Sequence, residues 1–201
     1  MNSETTNGEA SAANPDQHSI TTLSSRDVYV NPWMRVREDQ VLRSNGHTGI
    51  YGVVEKDDCA LILPLEPDFE GGKGRVWLVE QFRYAVQQRY LELPQGGWEM
   101  GAVDAEELAR GELKEELGLE AASMIQLGTL WISYGYAKQK QHVFLATGLT
   151  HTDKDPDPEE HDLIVHTATI AEFEQMMLDG TIRDNCTLSA WALYLMWKAR
   201  Q

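Results

Sequence analysis

Three glutamates stand at offsets of zero, three and four in the segment Glu112-Leu-Lys-Glu115-Glu116-Leu-Gly118-Leu119. An α-helix turns about 100° per residue, so the three carboxylates share one side of it. Like charges at that spacing repel, each pair costing a helix a few tenths of a kcal/mol, on the order of a weak surface contact. A hard divalent cation offsets the repulsion most simply, because Mg²⁺ prefers carboxylate oxygens. The segment Glu92-Leu-Pro-Gln-Gly96-Gly97 lies just ahead, and irregular Gly-rich backbone there could bring carbonyls to the same ion. Metal-assisted chemistry is the expectation, and a solvated acidic helix face is the alternative.

The helix that carries the cluster has its own punctuation. Asp104 and Glu107 form a capping-box signature, and Gly118 is the expected stop. Between them Ala105, Ala109, Leu113 and Leu117 fall within an arc of about 120°, which marks the buried face. Glu112 and Glu115 flank that arc, but Glu116 projects into its edge, where a carboxylate is costly unless paired or bound to metal. Gly111 weakens the helix interior, for which close packing and relaxed constraint are the two explanations.

Strands are expected around this helix. Val36–Leu42 and Ile50–Val54 bracket an Asn45-Gly46 hairpin signal. Cys59–Leu63 reads as a buried strand, followed by a polar loop from Pro64 to Gly74 and a strand over Val76–Phe82. Strands near Ile125–Ser133 and His142–Leu149 and one from Leu163 follow, with helices over Ile170–Leu178 and Thr187–Lys198. The order implies a mixed sheet covered by helices.

A chain of 201 residues with a net charge of −15 fits one ordinary soluble domain and lacks the basic footprint of a nucleic-acid binder. It carries no apolar run of about 18 residues, the length of a membrane span. Residues 1–22 read as a flexible leader and residues 23–201 as a single domain. Two cysteines, Cys59 and Cys186, provide no disulfide framework, which favours a reduced, cytoplasmic setting. The histidines lack metal-ligand spacing, so His142, His161 and His166 are read as structural. Cys186 at a helix start has no convincing catalytic partner. Trp191, Leu193, Tyr194, Leu195 and Trp197 are read as core or interface.

Glu112-Leu113-x-Glu115-Glu116-x-Gly118-Leu119 resembles the second half of the Nudix box, G-x5-E-x7-R-E-U-x-E-E-x-G-U, where U is a bulky aliphatic residue. Val79-Glu80-Gln81-Phe82-Arg83-Tyr84 followed by Glu92-Leu93-Pro94-Gln95-Gly96 looks like the entry to that box in ADP-ribose pyrophosphatases and related nucleoside diphosphate sugar hydrolases. The resemblance covers residues 34 to 198. It implies an α/β fold, the Nudix α/β/α sandwich, with a mixed sheet and an N-terminal antiparallel strand extension. It also implies Mg²⁺-dependent hydrolysis (Mn²⁺ as a substitute) of ADP-ribose or a similar small-molecule nucleotide sugar, and a homodimer.

By the same resemblance Glu112 and Glu116 ligate the metal with the Gln95 carbonyl, and Glu115 binds a second ion or polarises water. Glu160, with Glu159 next, supplies a general base. Arg83 is read either as binding substrate phosphate or as forming an ion pair, and Arg83, Glu92 and Tyr134 are the candidate substrate contacts. Two positions of the box depart from its pattern: Gly111 replaces the arginine and Val103 the first glutamate. Glu99-Met100-Gly101 stands one residue out of register, and Arg110, about 100° around the helix from Gly111, is no simple substitute. Where the ADP-ribose enzymes show Ser-Pro-Gly and then an acid, this chain has Ser133-Tyr134-Gly135-Tyr136-Ala137-Lys138-Gln139. Tyr134 and Tyr136 are read either as base-stacking residues or as strand packing. The departures keep two other readings open, a Nudix-fold nucleotide sensor with little turnover and a dinucleoside polyphosphate hydrolase.

Overall fold

The structure, a computed structural model, describes residues 19–97, 104–153 and 162–201. The chain divides into two compact units, Met1–Val54 and Glu55–Gln201. In the first, strand β1 (Ile20–Asn31) pairs antiparallel with β2 (Met34–Arg43), from Ile20 opposite Arg43 to Asn31 opposite Met34. Strand therefore begins at Ile20, inside the stretch whose composition reads as a leader. The Asn31 side chain closes the hairpin by accepting from the N–H groups of Trp33 (2.9 Å) and Met34 (2.7 Å), an Asx turn beside Pro32. Strand β3 (Thr48–Glu55) neighbours β2 across the expected Asn-Gly turn, where Gly46 takes a φ of 83° that a side chain would resist. These are the N-terminal antiparallel strands that the resemblance implies.

The second unit is built on β4 (Cys59–Glu66), buried along nearly its whole length. One edge pairs in parallel with β10 (Lys140–His151), which pairs antiparallel with β8 (Leu119–Trp131). The other edge is shared. Cys59–Leu61 pair with the short strand β7 (Gln95–Gly97), and Leu65–Glu66 pair with β5 (Arg75–Arg83). On the edge that meets β4, β5 also pairs with β6 (Gln88–Glu92), and on its far edge with β11 (Ile164–Thr169). The expected loop from Pro64 is therefore corrected: Pro64, Leu65 and Glu66 continue β4. On that edge Pro64 falls between the two partners, where its missing N–H costs the ladder nothing. An irregular turn, α1 (Phe69–Gly72), links β4 to β5, and β9 (Ala137–Lys138) follows β8.

Alternation along β4 explains its continuous apolar run. Leu61, Leu63 and Leu65 join Val76, Leu78, Val143 and Leu145 in one core, under α3 (Ile170–Leu178) and α4 (Asn185–Lys198), which contribute Phe173, Trp191 and Tyr194. Ala60 and Ile62 join Trp77, Val79, Phe144 and Ala146 in a second core, under α2 (Ala105–Leu117) with its Ala109, Leu113 and Leu117. A mixed sheet with helices on both faces is the expected α/β/α sandwich. Leu193 and Trp197 pack on the first core, but Leu195 is exposed, so the α4 stripe is only partly core.

Gly118 ends α2 as expected, in a left-handed conformation with its N–H on the Leu113 and Lys114 carbonyls. The capping box at Asp104 is corrected. Its carboxylate takes the N–H of Glu106 at 2.9 Å, and the reciprocal pair forms instead at α3, between Thr169 and Glu172. At Gly111 a Cβ would meet no atom within 4 Å, so close packing does not explain the glycine. Gly111→Ala is expected to stabilise the fold by up to about 1 kcal/mol, raising the urea midpoint. An unchanged or lower midpoint would contradict this account of the helix.

Candidate active site

The phase of α2 sets the site. Leu113 and Leu117 anchor the helix on the sheet, and one step from Leu117 the Glu116 side chain is carried into the buried margin. Glu116 is 2% exposed, whereas Glu112 and Glu115 are half-buried. Oε2 of Glu116 takes no hydrogen bond from the described residues, although the residue's charge is felt by Arg83. Glu112 lies over β7: a Cβ placed on Gly96 would stand 2.1–2.4 Å from its carboxylate atoms. Glycine at 96 is thus what lets carboxylate and main chain meet.

The entry segment is pinned from several sides. Arg83 donates to both oxygens of the 3%-exposed Glu92, Nε to Oε1 and Nη2 to Oε2, each at 2.8 Å. Burial draws the Arg83 guanidinium toward neutrality, but Glu92, then Glu116 and Asp184, outweigh it and hold its pKa above the ordinary value. Leu93 N–H donates to the Thr187 hydroxyl (3.0 Å), which donates to Asp184 Oδ2 (2.8 Å), and the Pro94 carbonyl accepts from Ile62 N–H (3.0 Å). Gln95 Nε2 donates to Glu92 Oε2 (2.8 Å) and Gln95 Oε1 accepts from Gln141 Nε2 (3.0 Å). Sequence reasoning missed Thr187, Asp184 and Gln141. The Asp184-x-x-Thr187 spacing of a helix start was the one available signal for the first two.

Arg83 and Glu92 are therefore brought together as an ion pair whose guanidinium feels the Glu116 charge, while Glu112 lies over Gly96, the residue after Gln95. Tyr134 is 83% exposed in the turn after β8 and Tyr136 is exposed too, so neither packs within the sheet. Gln139, at the position of the family's acid, donates to the Asp57 carbonyl at 2.9 Å. Arg110 binds Glu106 and the Ala121 carbonyl and does not take the place of the missing arginine. Val103, Glu159, Glu160 and His161 lie outside the described residues. His166 faces Glu80 at 3.0 Å and His142 faces Asp58 at 3.7 Å, both structural contacts. Burial pushes the Cys59 and Cys186 thiols up to about 11 and about 12, which leaves both neutral and unreactive.

The donor set fits a hard cation. Glu112 and Glu116 offer carboxylate oxygens, one group cradled on glycine backbone and one buried with an Oε2 that takes no hydrogen bond from the described residues. Among the described residues no three His, Cys, Asp or Glu side chains are gathered into a complete cage.

A family model of the NUDIX domain matches residues 67–185, and one of the nucleoside diphosphate sugar hydrolase N-terminal domain matches residues 20–54. The chain belongs to the Nudix family and is a Nudix hydrolase of the ADP-ribose pyrophosphatase-like group. An ADP-ribose pyrophosphatase of Mycobacterium tuberculosis (strain ATCC 25618 / H37Rv) is 28% identical over 174 residues, 86% of this chain and 82% of that protein. A methanol dehydrogenase activator of Bacillus methanolicus is 24% identical, over 84% of this chain and 89% of its own. An ADP-ribose pyrophosphatase of Bacillus subtilis (strain 168) is also 24% identical, over 71% and 74%. A crystal structure of an ADP compounds hydrolase shares the fold, with a TM-score of 0.75 at 21% identity over 92% of this chain and 96% of that one. Nudix hydrolases generally use divalent cations, which agrees with the donor set.

Gly96→Ala is expected to displace the Glu112 carboxylate and lower hydrolytic turnover by about 10-fold or more, a misplacement effect, with the circular dichroism spectrum unchanged. Full turnover in the folded variant would show that the contact between Glu112 and β7 is incidental.

Proposed function

We propose that the chain hydrolyses the pyrophosphate bond of ADP-ribose or a related nucleoside diphosphate sugar, releasing a nucleoside monophosphate and a sugar phosphate. The observation that carries this reading is the buried Glu116 beside Arg83, with Glu112 set against Gly96. Glu112, Glu116 and the Gln95 carbonyl would hold Mg²⁺ or Mn²⁺, and Glu115 a second ion or a water. When bound, such an ion neutralises diphosphate charge and lowers the pKa of an attacking water. The protein's own part is to orient and to move a proton. Glu92 holds Arg83 in a bidentate grip, so a fixed positive charge faces the diphosphate without a search through rotamers. Water attacks phosphorus, the bridging P–O bond breaks, and the water's proton passes to Glu160, or to Glu159 beside it. Tyr134 would stack on the base, a reading that its exposed aromatic ring supports.

The first unit supports a homodimer. Strand β1 is exposed nearly throughout, and Leu23, Val28, Tyr29, Val30, Trp33 and Ile50 are exposed with it. A long apolar edge strand calls for a cover, and a second copy of the chain supplies one. No helix among the described residues is long and apolar enough to cross a membrane. The two unpaired, buried cysteines suit a reduced cytoplasmic setting.

One observation favours a second reading, that of a nucleotide-binding module with weak turnover. The arginine position of the box holds Gly111 in open space, and Arg110 is engaged elsewhere. Purified protein with Mg²⁺ or Mn²⁺ is expected to release monophosphate and sugar phosphate from at least one nucleoside diphosphate sugar of a panel resolved by chromatography. Calorimetric binding of ADP-ribose without product would establish the second reading, and absence of both would overturn the two together. Sedimentation is expected to give twice the 22.7 kDa chain mass, and a monomer would contradict the dimer.

A further inference from the structure

Gln141 is a polar side chain in an apolar layer, 1% exposed on β10 two residues before Val143 of the core beneath α4. An amide in such a place is costly if it finds no partner, so its bonds bear directly on why it is there. In parallel register it stands opposite Cys59 of β4, and Gln95 of β7 stands opposite Leu61. Side chains alternate along each strand, so Cys59, Leu61, Gln95 and Gln141 share the α4 face of the sheet. Gly96, between Gln95 and Gly97, turns to the other face, where Glu112 of α2 lies over it.

The direction of the hydrogen bonds follows from charge. Ionised Glu92 only accepts, taking two bonds from Arg83 and one from Gln95 Nε2. That turns the nitrogen of the Gln95 amide toward Glu92 and its oxygen the other way. The oxygen then requires a donor, and Gln141 Nε2 supplies it at 3.0 Å. The Cys59 and Cys186 thiols, neutral through burial, lie against the same Gln141 carboxamide. They are no rival charge for it, so the amide's strongest claim is the one on Gln95.

We propose that Gln141 is a positioning residue, which fixes the Gln95–Gly96 main chain against Glu112 from the opposite face of the sheet. The inference rests on the metal-dependent reading of Glu112, Glu116 and the Gln95 carbonyl. The link spans three strands, from β10 across β4 to β7, and Gln141 reaches the site without entering it. Strand β7 is only three residues long and two of them are glycine, so its own ladder with β4 restrains it weakly. The Gln95 side chain is the handle by which it is held.

The test is Mn²⁺ binding followed by electron paramagnetic resonance, with circular dichroism and thermal unfolding of metal-free protein as controls. Gln141→Leu is expected to weaken Mn²⁺ about 10–100-fold, the usual cost of losing a partner that orients a metal ligand. Gln141→Met, unbranched and without a donor, is expected to do the same and serves if the leucine variant does not fold. Because Gln141 acts through Gln95, the double variant Gln95→Leu/Gln141→Leu should bind no more weakly than Gln95→Leu alone. A folded Gln141 variant with wild-type Mn²⁺ affinity, altered only in thermal stability, would overturn the proposal, as would independent, additive losses. If wild-type protein binds no Mn²⁺ and Glu116→Gln changes nothing, the metal reading itself fails and the proposal with it.

Discussion

Burying the Glu116 carboxylate at the seam between α2 and the sheet is the constraint around which the second unit is arranged. A charge 2% exposed is unfavourable unless its surroundings compensate it, and the surroundings here are specific. The Arg83 guanidinium stands near it, held by both oxygens of Glu92. The helix cannot rotate to relieve the burial, because Ala109 and Leu113 are fully buried on the adjoining arc and Gly118 stops the helix one turn later. The same phase that forces Glu116 inward sets Glu112 over β7, so one packing decision places both carboxylates.

The opposite face of the sheet supplies the rigidity. Leu93 is tied through Thr187 to the N-cap of α4, Pro94 to Ile62 of the central strand, and Gln95 to Glu92 and Gln141. A segment of four residues thus takes its geometry from β4, β6, β10 and α4 together. Such a segment can hold irregular backbone at a reactive centre because each polar group of it that matters is satisfied elsewhere. Two departures from the family pattern, Gly111 and Gln139, sit outside this frame. Gly111 faces open space and Gln139 serves the Asp57 carbonyl, so neither disturbs the pinned segment.

Much of this frame was legible in the residues. Helical phase alone placed Ala109, Leu113 and Leu117 inward and Glu116 at the buried edge, and Gly118 marked a real helix end. The runs of β4, β5 and β10 were legible because branched and apolar residues are dense there. Strands β6 and β7 were not, since Gln88–Glu92 lacks alternation and Gln-Gly-Gly has no strand propensity; both exist because β5 and β4 offer open edges. Pro64 argued for a loop, yet it falls between two pairing partners and the strand continues through it. Gln141 left no sequence signal, because its role depends on a partner 46 residues away and two strands across.

On the proposed reading, Glu116 is buried because a cation completes its environment. Thermal unfolding of wild-type protein and Glu116→Gln, each with and without Mg²⁺, tests it most directly, since a ligand that binds only the folded state raises its stability. The expected result is a melting temperature that rises with Mg²⁺ in the wild type and does not in the variant, while the metal-free variant is at least as stable as metal-free wild type. An equal rise in both proteins, or none in either, would contradict the claim.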